Sequence, residues 1–423
     1  QPVDKELWYK APITPMDDLH GNLRGIIEHM DDIQNLGIDV LYMTPIFQSN
    51  SCHKYDTTDY YQIDPSFGTT EDLKELVQKA HERGMKVVLD AVYNHTGREF
   101  FAFADILENG EKSKYRDWYF IDGFPLKSEW GEIPNFKCFG YYGGMPKLNL
   151  KNPEVEKYIT DVACYWIKEC DIDGWRLDVG DEISHFFWKN FRKAVKAVKK
   201  DMLIIGEIWH YAGDFLEGDE WDTVMNYPFY LNLIDLLADE KITVSQFVQN
   251  LGYLKGRLHK NCYPLMWNLI DSHDTARFLH LCNDNKKKQH LAAAFQLLLP
   301  GMPMIYYGDE YAMPGANDPD CRRGMYWDEE YQDKEMYEWY KRLIQVRKSH
   351  ACIVEGELAG SVTEDEEGTI VLIRKNGEET IAMIFNCSSS AKKFNEYTQK
   401  YNLLTENTFD GNVEGFDAAV IVL

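Results

Sequence analysis

Residues 71–92, EDLKELVQKAHERGMKVVLDAV, contain one complete helix-to-strand unit, from which the fold class can be predicted. Residues 71–83 have the apolar periodicity of a helix, Gly84 is placed to end that helix, and residues 86–92 form a short, β-rich apolar run. A helix that leads through a glycine into a strand is typical of the βα units of a parallel sheet. The same alternation recurs over most of the chain.

The alternation predicts an α/β fold with eight parallel strands. They are expected at residues 7–9, 39–46, 86–92, 174–179, 203–208, 223–226, 267–270 and 304–307. Helices are expected between them at residues 23–36, 71–83, 155–169, 185–199 and 289–299. Gly37 follows one predicted helix, and Asn152-Pro153 opens another with a cap and a first-turn proline. Eight strands with intervening helices predict a (β/α)8 TIM barrel.

Two segments depart from the barrel pattern. More than fifty residues separate His95 from Asn152, where a connection between strand and helix normally takes about 2 to 6. We therefore predict an inserted subdomain after strand three, at residues 96–150. Alternating runs at 368–375 and 379–385, joined by the hairpin signal Asn376-Gly377, predict a C-terminal antiparallel β domain, a β-sandwich, at 348–423. The barrel then comprises residues 1–95 and 151–347.

Composition excludes several classes of partner. The 423 residues include 45 Lys and Arg against 69 Asp and Glu, a net charge of −24. That charge repels phosphate backbones and anionic lipids, so we expect neither nucleic acid nor a membrane as a partner. No window holds the roughly 18 uninterrupted apolar residues of a membrane span. Aromatic residues make up 14% of the chain; they indicate either sugar-stacking rings or an aromatic-rich core.

The nine cysteines indicate neither disulfides nor zinc. None stands in a C-x-x-C arrangement or beside a histidine at metal-ligand spacing. A reducing cytoplasm is the simplest interpretation. Because the chain begins at Gln1 rather than at a methionine, its N-terminus leaves export open.

Polar groups close four of the predicted strands. They lie in DAVYNH (90–95), GWRLD (174–178), GEIWH (206–210) and SHD (272–274). A single carboxylate at a strand end is as often a helix cap or a surface ion pair. Barrel active sites, however, are built at the C-terminal ends of the strands. Four such ends in order therefore predict an active site.

The chemistry that these groups suggest is glycoside hydrolysis, in which one carboxylate attacks the anomeric carbon and a second donates a proton. We assign Asp178 as the nucleophile and Glu207 as the acid/base. Arg176 lies two residues before Asp178, on the same strand face, where its charge would keep Asp178 ionised. Asp274 would stabilise positive charge in the transition state.

In order and spacing, these four segments resemble the motif regions of the α-amylase superfamily, glycoside hydrolase family 13, and the likeness covers roughly the whole chain. The resemblance implies the same roles for Asp178, Glu207 and Asp274. It also implies that Tyr55 stacks on the sugar at the cleaved bond, and that Asp318 and Arg322 bind hydroxyls of that sugar. The full set of expected substrate-binding residues is His53, Tyr55, Asn94, His95, Arg176, Trp209, His273, Asp318 and Arg322.

Finer features resemble the neopullulanase, cyclomaltodextrinase and maltogenic amylase branch. They are MPKLN (145–149), DGWRLDVGDE (173–182) and GEIWH (206–210). Glu182 stands where many plain α-amylases carry Lys-His, although helix capping would also favour a glutamate there. This branch implies broad α-1,4 and some α-1,6 specificity.

Two departures from the branch concern assembly and metal. Members usually carry an N-terminal β domain through which they dimerise, whereas the first strand is predicted here at Leu7; the oligomeric state is therefore left open. The loop at 10–21 lacks the Asn- and Asp-rich run that holds calcium in many relatives. We therefore predict no cofactor and no calcium at that position, and leave a calcium site elsewhere open.

The sequence thus predicts a retaining α-glucan hydrolase. Its substrates would be maltooligosaccharides, starch fragments, pullulan or cyclodextrins, cleaved at α-1,4 and also at α-1,6 bonds. An oligosaccharide α-glucosidase with transglycosylation is the alternative enzyme, and loop shape decides between the two. A non-catalytic, transporter-associated member of the fold is a distant alternative, because such proteins lack the catalytic carboxylates that are present here.

Overall fold

A computed structural model describes residues 4–127, 133–259 and 261–423. The strands are β1 Val40–Met43, β2 Phe47–Ser49, β3 Thr57–Ile63, β4 Lys86–Ala91, β5 Gly174–Leu177, β6 Leu203–Gly206, β7 Thr223–Val224, β8 Trp267–Asn268, β9 Met302–Pro303, β10 Glu357–Glu364, β11 Thr369–Asn376, β12 Glu379–Asn386, β13 Lys392–Lys393, β14 Tyr401–Asn402, β15 Asn407–Thr408, β16 Asn412–Val413 and β17 Asp417–Val422. The helices are α1 Lys5–Trp8, α2 Leu23–Glu28, α3 Met30–Leu36, α4 Thr70–Glu82, α5 Phe101–Asn109, α6 Pro153–Cys170, α7 His185–Val198, α8 Tyr227–Leu233, α9 Val244–Arg257, α10 Phe278–Leu281, α11 Lys286–Leu298, α12 Lys334–Ser349 and α13 Cys352–Glu355.

The chain forms two compact units. The first unit comprises residues 20–208 and 214–224, and the second comprises 1–19, 209–213 and 225–423. The predicted domain boundaries, at 95/96, 150/151 and 347/348, stay predictions. In the part of the chain that the structure describes, every helix is too short or too polar to span a lipid bilayer.

The first unit is built on a parallel sheet with the order β1-β4-β5-β6-β7. All four residues of β5 are buried, and in β4 only Lys86 is exposed. Parallel strands that are covered on both faces consist of continuous apolar runs. For this reason the short apolar segments of the sequence predicted these strands. The register pairs Asp90 with Arg176 and Leu177 with Gly206, which brings the polar strand ends together.

Capping residues fix the helices of the first unit. The Thr69 side chain and Asp72 form a capping box at the start of α4, and Asn152 caps α6 ahead of Pro153 as predicted. Gly37 and Gly84 adopt φ of 100° and 76° after α3 and α4. Glycine takes these left-handed angles at little cost, which confirms both predicted helix ends.

Residues 96–127 and 133–150 form an irregular excursion between β4 and α6. Its only α-helix in the described residues is α5. Isolated bridges join Tyr119 to Leu148 and Cys138 to Pro146, and a further bridge joins Lys147 to His95. The returning segment therefore runs beside the C-terminal end of β4.

The second unit contains the parallel pair β8-β9 and a C-terminal antiparallel sheet of order β10-β11-β12-β17-β14-β15. The predicted hairpin joins β11 to β12, with Gly377 at φ 61°. The strands β13 and β16 form a separate antiparallel pair. A buried apolar cluster joins Val413 of β16 to residues of the larger sheet; its members are Val371, Ala382, Ile384, Phe394, Phe409, Val413, Ala419 and Ile421.

The first predicted strand, at residues 7–9, is wrong. These residues lie in or directly after helix α1, where the Asp4 side chain accepts hydrogen bonds from the Glu6 and Leu7 amides. A three-residue apolar run cannot outweigh such a cap. The Trp8 indole donates to the Met325 carbonyl at 2.7 Å, which fixes this turn within its own unit. Six of the other predicted runs overlap parallel strands. The eighth run, predicted at 304–307, is wrong in position, because the strand there is β9, Met302–Pro303, which ends just before it.

Gly206, at the end of β6, provides a test of the packing. An added Cβ would lie 2.2 Å from Cε3 of Trp221, closer than any real contact. We expect Gly206→Ala to lower the free energy of unfolding by about 1–3 kcal/mol, measured by urea denaturation. In the control, Gly252→Ala within α9, the Cβ meets nothing within 4 Å, so a gain of about 0.5–1 kcal/mol is expected. Equal stability of the two variants would contradict this packing.

Candidate active site

The guanidinium of Arg176 is the centre of the candidate site. Arg176 lies in β5 and is fully buried. Its Nη1 donates to Asp90 at 3.0 and 3.1 Å and to Asp178 Oδ1 at 3.1 Å. Its Nη2 lies 2.9 Å from Glu207 Oε2. One fixed fork of donors therefore holds three carboxylates.

Asp90 is the most deeply buried of these carboxylates. It also accepts hydrogen bonds from the hydroxyls of Tyr42, at 2.7 Å, and Tyr55, at 3.0 Å. Burial raises the pKa of Asp90 to about 6, although Arg176 and Tyr42 act in the opposite direction. Asp90, which lies within β4, therefore holds the Arg176 guanidinium in place.

The positions of Asp178 and Glu207 follow from the register of the sheet. Each directly follows one residue of the pair Leu177 and Gly206, which are partners across β5 and β6. The amide of Val179 donates to Glu207 Oε2 at 2.9 Å. Val179 does so with φ 47°, an unfavourable angle for a β-branched residue. The local strain orients an amide towards the predicted acid/base.

His53, Tyr55 and His95 form one connected group beside Asp90. The Tyr55 amide donates to His53 Nδ1 at 3.0 Å, and His95 Nε2 donates to the Tyr55 carbonyl, also at 3.0 Å. Burial lowers the pKa of His95 to about 4, so its ring is neutral at pH 7. His95 was predicted to bind substrate. Its Nε2 hydrogen is donated to the Tyr55 carbonyl, so that hydrogen is not directed at a sugar hydroxyl.

Asn94 is buried in a second polar group of the first unit. Lys147 Nζ donates to Asn94 Oδ1 at 2.5 Å and to Glu182 Oε2 at 2.8 Å. The Asn94 amide donates to the same Glu182 oxygen at 3.2 Å. The branch-specific Glu182 and the MPKLN lysine therefore meet through Asn94, whose expected contact with substrate stays a prediction.

The second unit brings together four more predicted residues. His273 Nε2 lies 3.2 Å from Asp274 Oδ2, and Arg322 Nη2 lies 3.7 Å from Asp274 Oδ1. Arg322 Nε also contacts the His273 carbonyl at 2.9 Å and Asp318 Oδ1 at 2.8 Å. Asp318 is half exposed and Asp274 about a quarter. Arg322 therefore ties the predicted stabiliser Asp274 to the predicted sugar-binding Asp318.

A buried ion pair supports the segment that carries Asp274. The guanidinium of Arg277 contacts Asp309 at 3.2 Å and the Cys321 carbonyl at 3.1 Å. Asp271 accepts from the Phe278 amide at 2.7 Å. Burial raises the pKa of Asp309 well above its usual range, and neighbouring Asp271 adds to the effect. This group is buried and does not extend to the surface.

Trp209, the last predicted substrate contact, belongs to the second unit. Its ring stacks on Tyr227, with centroids 3.8 Å apart and an angle of 13° between the planes. About 40% of Trp209 is exposed. One face of a rigid indole is thus covered, as suits a ring that stacks on sugar with its other face.

Sequence reasoning gave no role to Asp90 and missed Tyr42 and Lys147. Tyr42 pairs with Val88 across β1 and β4, and Asp90 lies two residues further along, on the same face as Val88. Aligning the two strands could therefore have found this contact. Lys147 stood in a quoted motif, but its partners lie far away in sequence.

Among the described residues, no group of three or more His, Cys, Asp or Glu side chains is arranged to hold a metal ion. Three carboxylates of the candidate site, those of Asp90, Asp178 and Glu207, contact the guanidinium of Arg176. The expectation of no cofactor and no calcium stays a prediction.

The chain is similar in sequence to known proteins. The sequence pattern of the protein family described as α-amylase, catalytic domain, matches residues 12–332. A cyclomaltodextrinase of Geobacillus thermopakistaniensis strain MAS1 is 47% identical over 384 residues, 91% of this chain and 65% of that protein. An intracellular maltogenic amylase of Bacillus subtilis is 43% identical over 371 residues, 88% of this chain and 62% of that protein. The chain thus spans less than two thirds of the length of both curated relatives.

A solved structure resembles the whole chain. The ligand-free cyclic α-maltosyl-(1→6)-maltose hydrolase of Arthrobacter globiformis is 35% identical with a TM-score of 0.91, and the match covers 100% of this chain and 94% of that one. The fold is that of the α-amylase catalytic domain. The chain belongs to the α-amylase family, glycoside hydrolase family 13. The predicted fold class and branch are confirmed.

Arg176→Lys tests whether the fork geometry matters. Lysine keeps the charge but cannot contact Asp90, Asp178 and Glu207 from fixed positions. The loss of one or two charge-assisted hydrogen bonds, each worth about 1.5–3 kcal/mol, predicts a fall in kcat/KM of about 100-fold or more. In the control, Arg192→Lys, the arginine contacts Asp222 at 2.7 Å and is partly exposed, and activity should stay within about twofold. Similar losses in both variants would count against a special role for Arg176.

Proposed function

We propose that this chain hydrolyses α-glucans with retention of anomeric configuration, at α-1,4 and also at α-1,6 glucosidic bonds. The observation that carries the proposal is the pair of carboxylates, Asp178 and Glu207, held on the two terminal nitrogens of the buried Arg176 guanidinium. Both follow paired ends of neighbouring strands. Retaining glycosidases need their two carboxyl groups only about 5–5.5 Å apart, and such an arrangement favours that narrow separation.

The mechanism is a double displacement. Asp178 attacks the anomeric carbon while protonated Glu207 gives its proton to the glycosidic oxygen, so the bond to the leaving sugar breaks and a glycosyl ester forms on Asp178. Glu207, now ionised, takes a proton from water as that water attacks the same carbon. The ester bond breaks and Asp178 leaves as a carboxylate. The proton taken from water leaves Glu207 protonated for the next cycle. Two inversions release an α-configured product.

The remaining groups stabilise charge and bind sugar. Arg176 Nη1, which donates to Asp178 Oδ1 at 3.1 Å, orients the proposed nucleophile. Asp274, oriented by Arg322 within the second unit, would stabilise the oxocarbenium-like transition state and bind sugar hydroxyls.

The substrates proposed are maltooligosaccharides, starch fragments, pullulan and cyclodextrins. The names of the relatives support this choice, since one is a cyclomaltodextrinase and another a maltogenic amylase. The structural neighbour is named for a maltosyl-(1→6)-maltose substrate. These names favour an α-glucan hydrolase over the oligosaccharide α-glucosidase and the non-catalytic alternative.

We further propose a cytoplasmic location. The proposal is supported by the Bacillus subtilis relative, which is named as intracellular.

We propose that activity is independent of metal, because the three site carboxylates Asp90, Asp178 and Glu207 are held by a cation of the chain, Arg176. Removal of divalent ions with EDTA should leave kcat and the melting temperature unchanged. A loss of either that added calcium restores would show that a calcium site has been overlooked.

Product analysis tests the proposed function directly. Maltoheptaose, pullulan and β-cyclodextrin are each incubated with the enzyme, and the products are separated by chromatography. NMR of the anomeric proton during the first minutes should show the α anomer before mutarotation. Initial release of the β anomer, or no cleavage of any of the three, would overturn the proposal.

Substitution of the two carboxylates separates their roles. Asp178→Asn removes the nucleophile without changing side-chain shape, so kcat should fall on the order of a thousandfold or more while maltoheptaose still binds. Glu207→Gln should retain rapid ester formation from an activated aryl glycoside, because a good leaving group needs no proton. Equal rate losses on activated and natural substrates would mean that Glu207 is not the acid.

A further inference from the structure

An aromatic turn lies within the first unit, in the segment that returns towards β4. We define the aromatic turn as residues 139–145, FGYYGGM. The Phe139 amide donates to the Met145 carbonyl at 3.0 Å, the Met145 amide to Tyr142 at 3.0 Å and the Tyr142 amide to Phe139 at 2.9 Å. These bonds close the turn upon itself.

The aromatic turn is anchored to the candidate site through His95. The Phe139 ring stacks on the His95 ring, with centroids 5.2 Å apart and 21° between the planes. Lys147, just after the turn, bridges to His95 through the backbone. His95 in turn holds the carbonyl of Tyr55. The turn therefore borders the residues expected to contact the sugar at the cleaved bond.

The aromatic turn presents two tyrosines to solvent. Tyr141 is 90% exposed and Tyr142 is 48% exposed. Tyr141 has φ 60° and follows Gly140 at φ 56°, and a bulky residue with positive φ is costly. Exposure of apolar ring surface adds to that cost. Such a combination of strain and exposure beside a site points to a functional constraint.

The Tyr142 ring packs against the backbone of Gly144. An added Cβ on Gly144 would lie 2.4 Å from the Tyr142 ring, so the ring lies directly against the Gly144 backbone. The ring is thus supported on one side, while about half of the side chain stays exposed. A rigid, supported aromatic face matches the apolar face of a pyranose ring.

We propose that Tyr142, with Tyr141 beside it, is a binding platform for a glucose unit of the substrate that lies outside the bond being cleaved. The inference rests on the proposed function, because it assigns a further sugar contact to the same site. Stacking suits a neutral glucan, whose chain carries no charge to be repelled by the acidic protein. The platform would favour longer substrates over short ones, because only a long chain occupies both the cleavage position and the turn.

The test compares substrate lengths in Tyr142→Ala. We expect KM for maltoheptaose to rise about fivefold, with kcat within about twofold, because one stacking contact is worth about 1 kcal/mol. KM for maltotriose should change by less than about twofold. Tyr142→Phe, which keeps the ring, should restore the wild-type KM. Gly144→Ala, which displaces the ring without removing it, should act in the same direction as Tyr142→Ala.

Tyr401→Ala is the matched control. Tyr401 lies in the C-terminal sheet and is also 48% exposed, so its loss should leave both KM values unchanged. An unchanged KM for maltoheptaose in Tyr142→Ala would overturn the inference, as would equal rises for both substrates. If the variant instead changes only the oligomeric state in sedimentation, the turn binds protein and the inference is wrong.

A binding measurement separates this inference from the proposed function. Maltoheptaose is titrated by calorimetry into Asp178→Asn, with and without Tyr142→Ala. If the wild type cleaves no α-glucan, the proposed function fails, whereas the calorimetric comparison still shows whether Tyr142 binds glucan. If cleavage is normal and the two affinities are equal, only the platform is wrong.

Discussion

A buried guanidinium determines the arrangement of the first unit. Arg176 is fully buried, and a charge removed from water is tolerated only with several charged partners in good geometry. Asp90, Asp178 and Glu207 supply them. Because three neighbouring strands contribute these carboxylates, the register of β4, β5 and β6 has to be right before Arg176 can be neutralised. The register and the proposed chemistry therefore depend on the same contacts.

Several helix ends and a hairpin could be predicted from the sequence, because they depend on residues that are neighbours along the chain. The helix ends at Gly37 and Gly84 and the hairpin at Asn376-Gly377 depend on backbone angles that neighbouring residues impose. The strand predicted at 7–9 failed because the Asp4 cap outweighed a three-residue apolar run. Short apolar runs do not distinguish helix from strand by periodicity.

The sequence proposes a set of residues for the site but does not give the contacts between them. Order along the chain was enough to propose Asp178 and Glu207, because barrel sites lie at strand ends. The same order could not show that His95 donates to the Tyr55 carbonyl, so that a residue expected to bind sugar also fixes another. Nor could it show the Tyr42 hydroxyl on Asp90. Such contacts depend on register and depth, which sequence spacing does not specify.

Each unit orients its predicted catalytic residues with a buried arginine and aspartate. In the first, Asp90 holds Arg176 against the two carboxylates; in the second, Asp309 holds Arg277, which bonds to the segment that supplies Arg322 to Asp274. Apolar side chains in these places would avoid the cost of desolvation and often stabilise a protein more. They could not, however, fix the direction of a carboxylate. Preorganised charge is useful where charge develops in a transition state, and for that reason these costly groups lie behind the predicted catalytic residues.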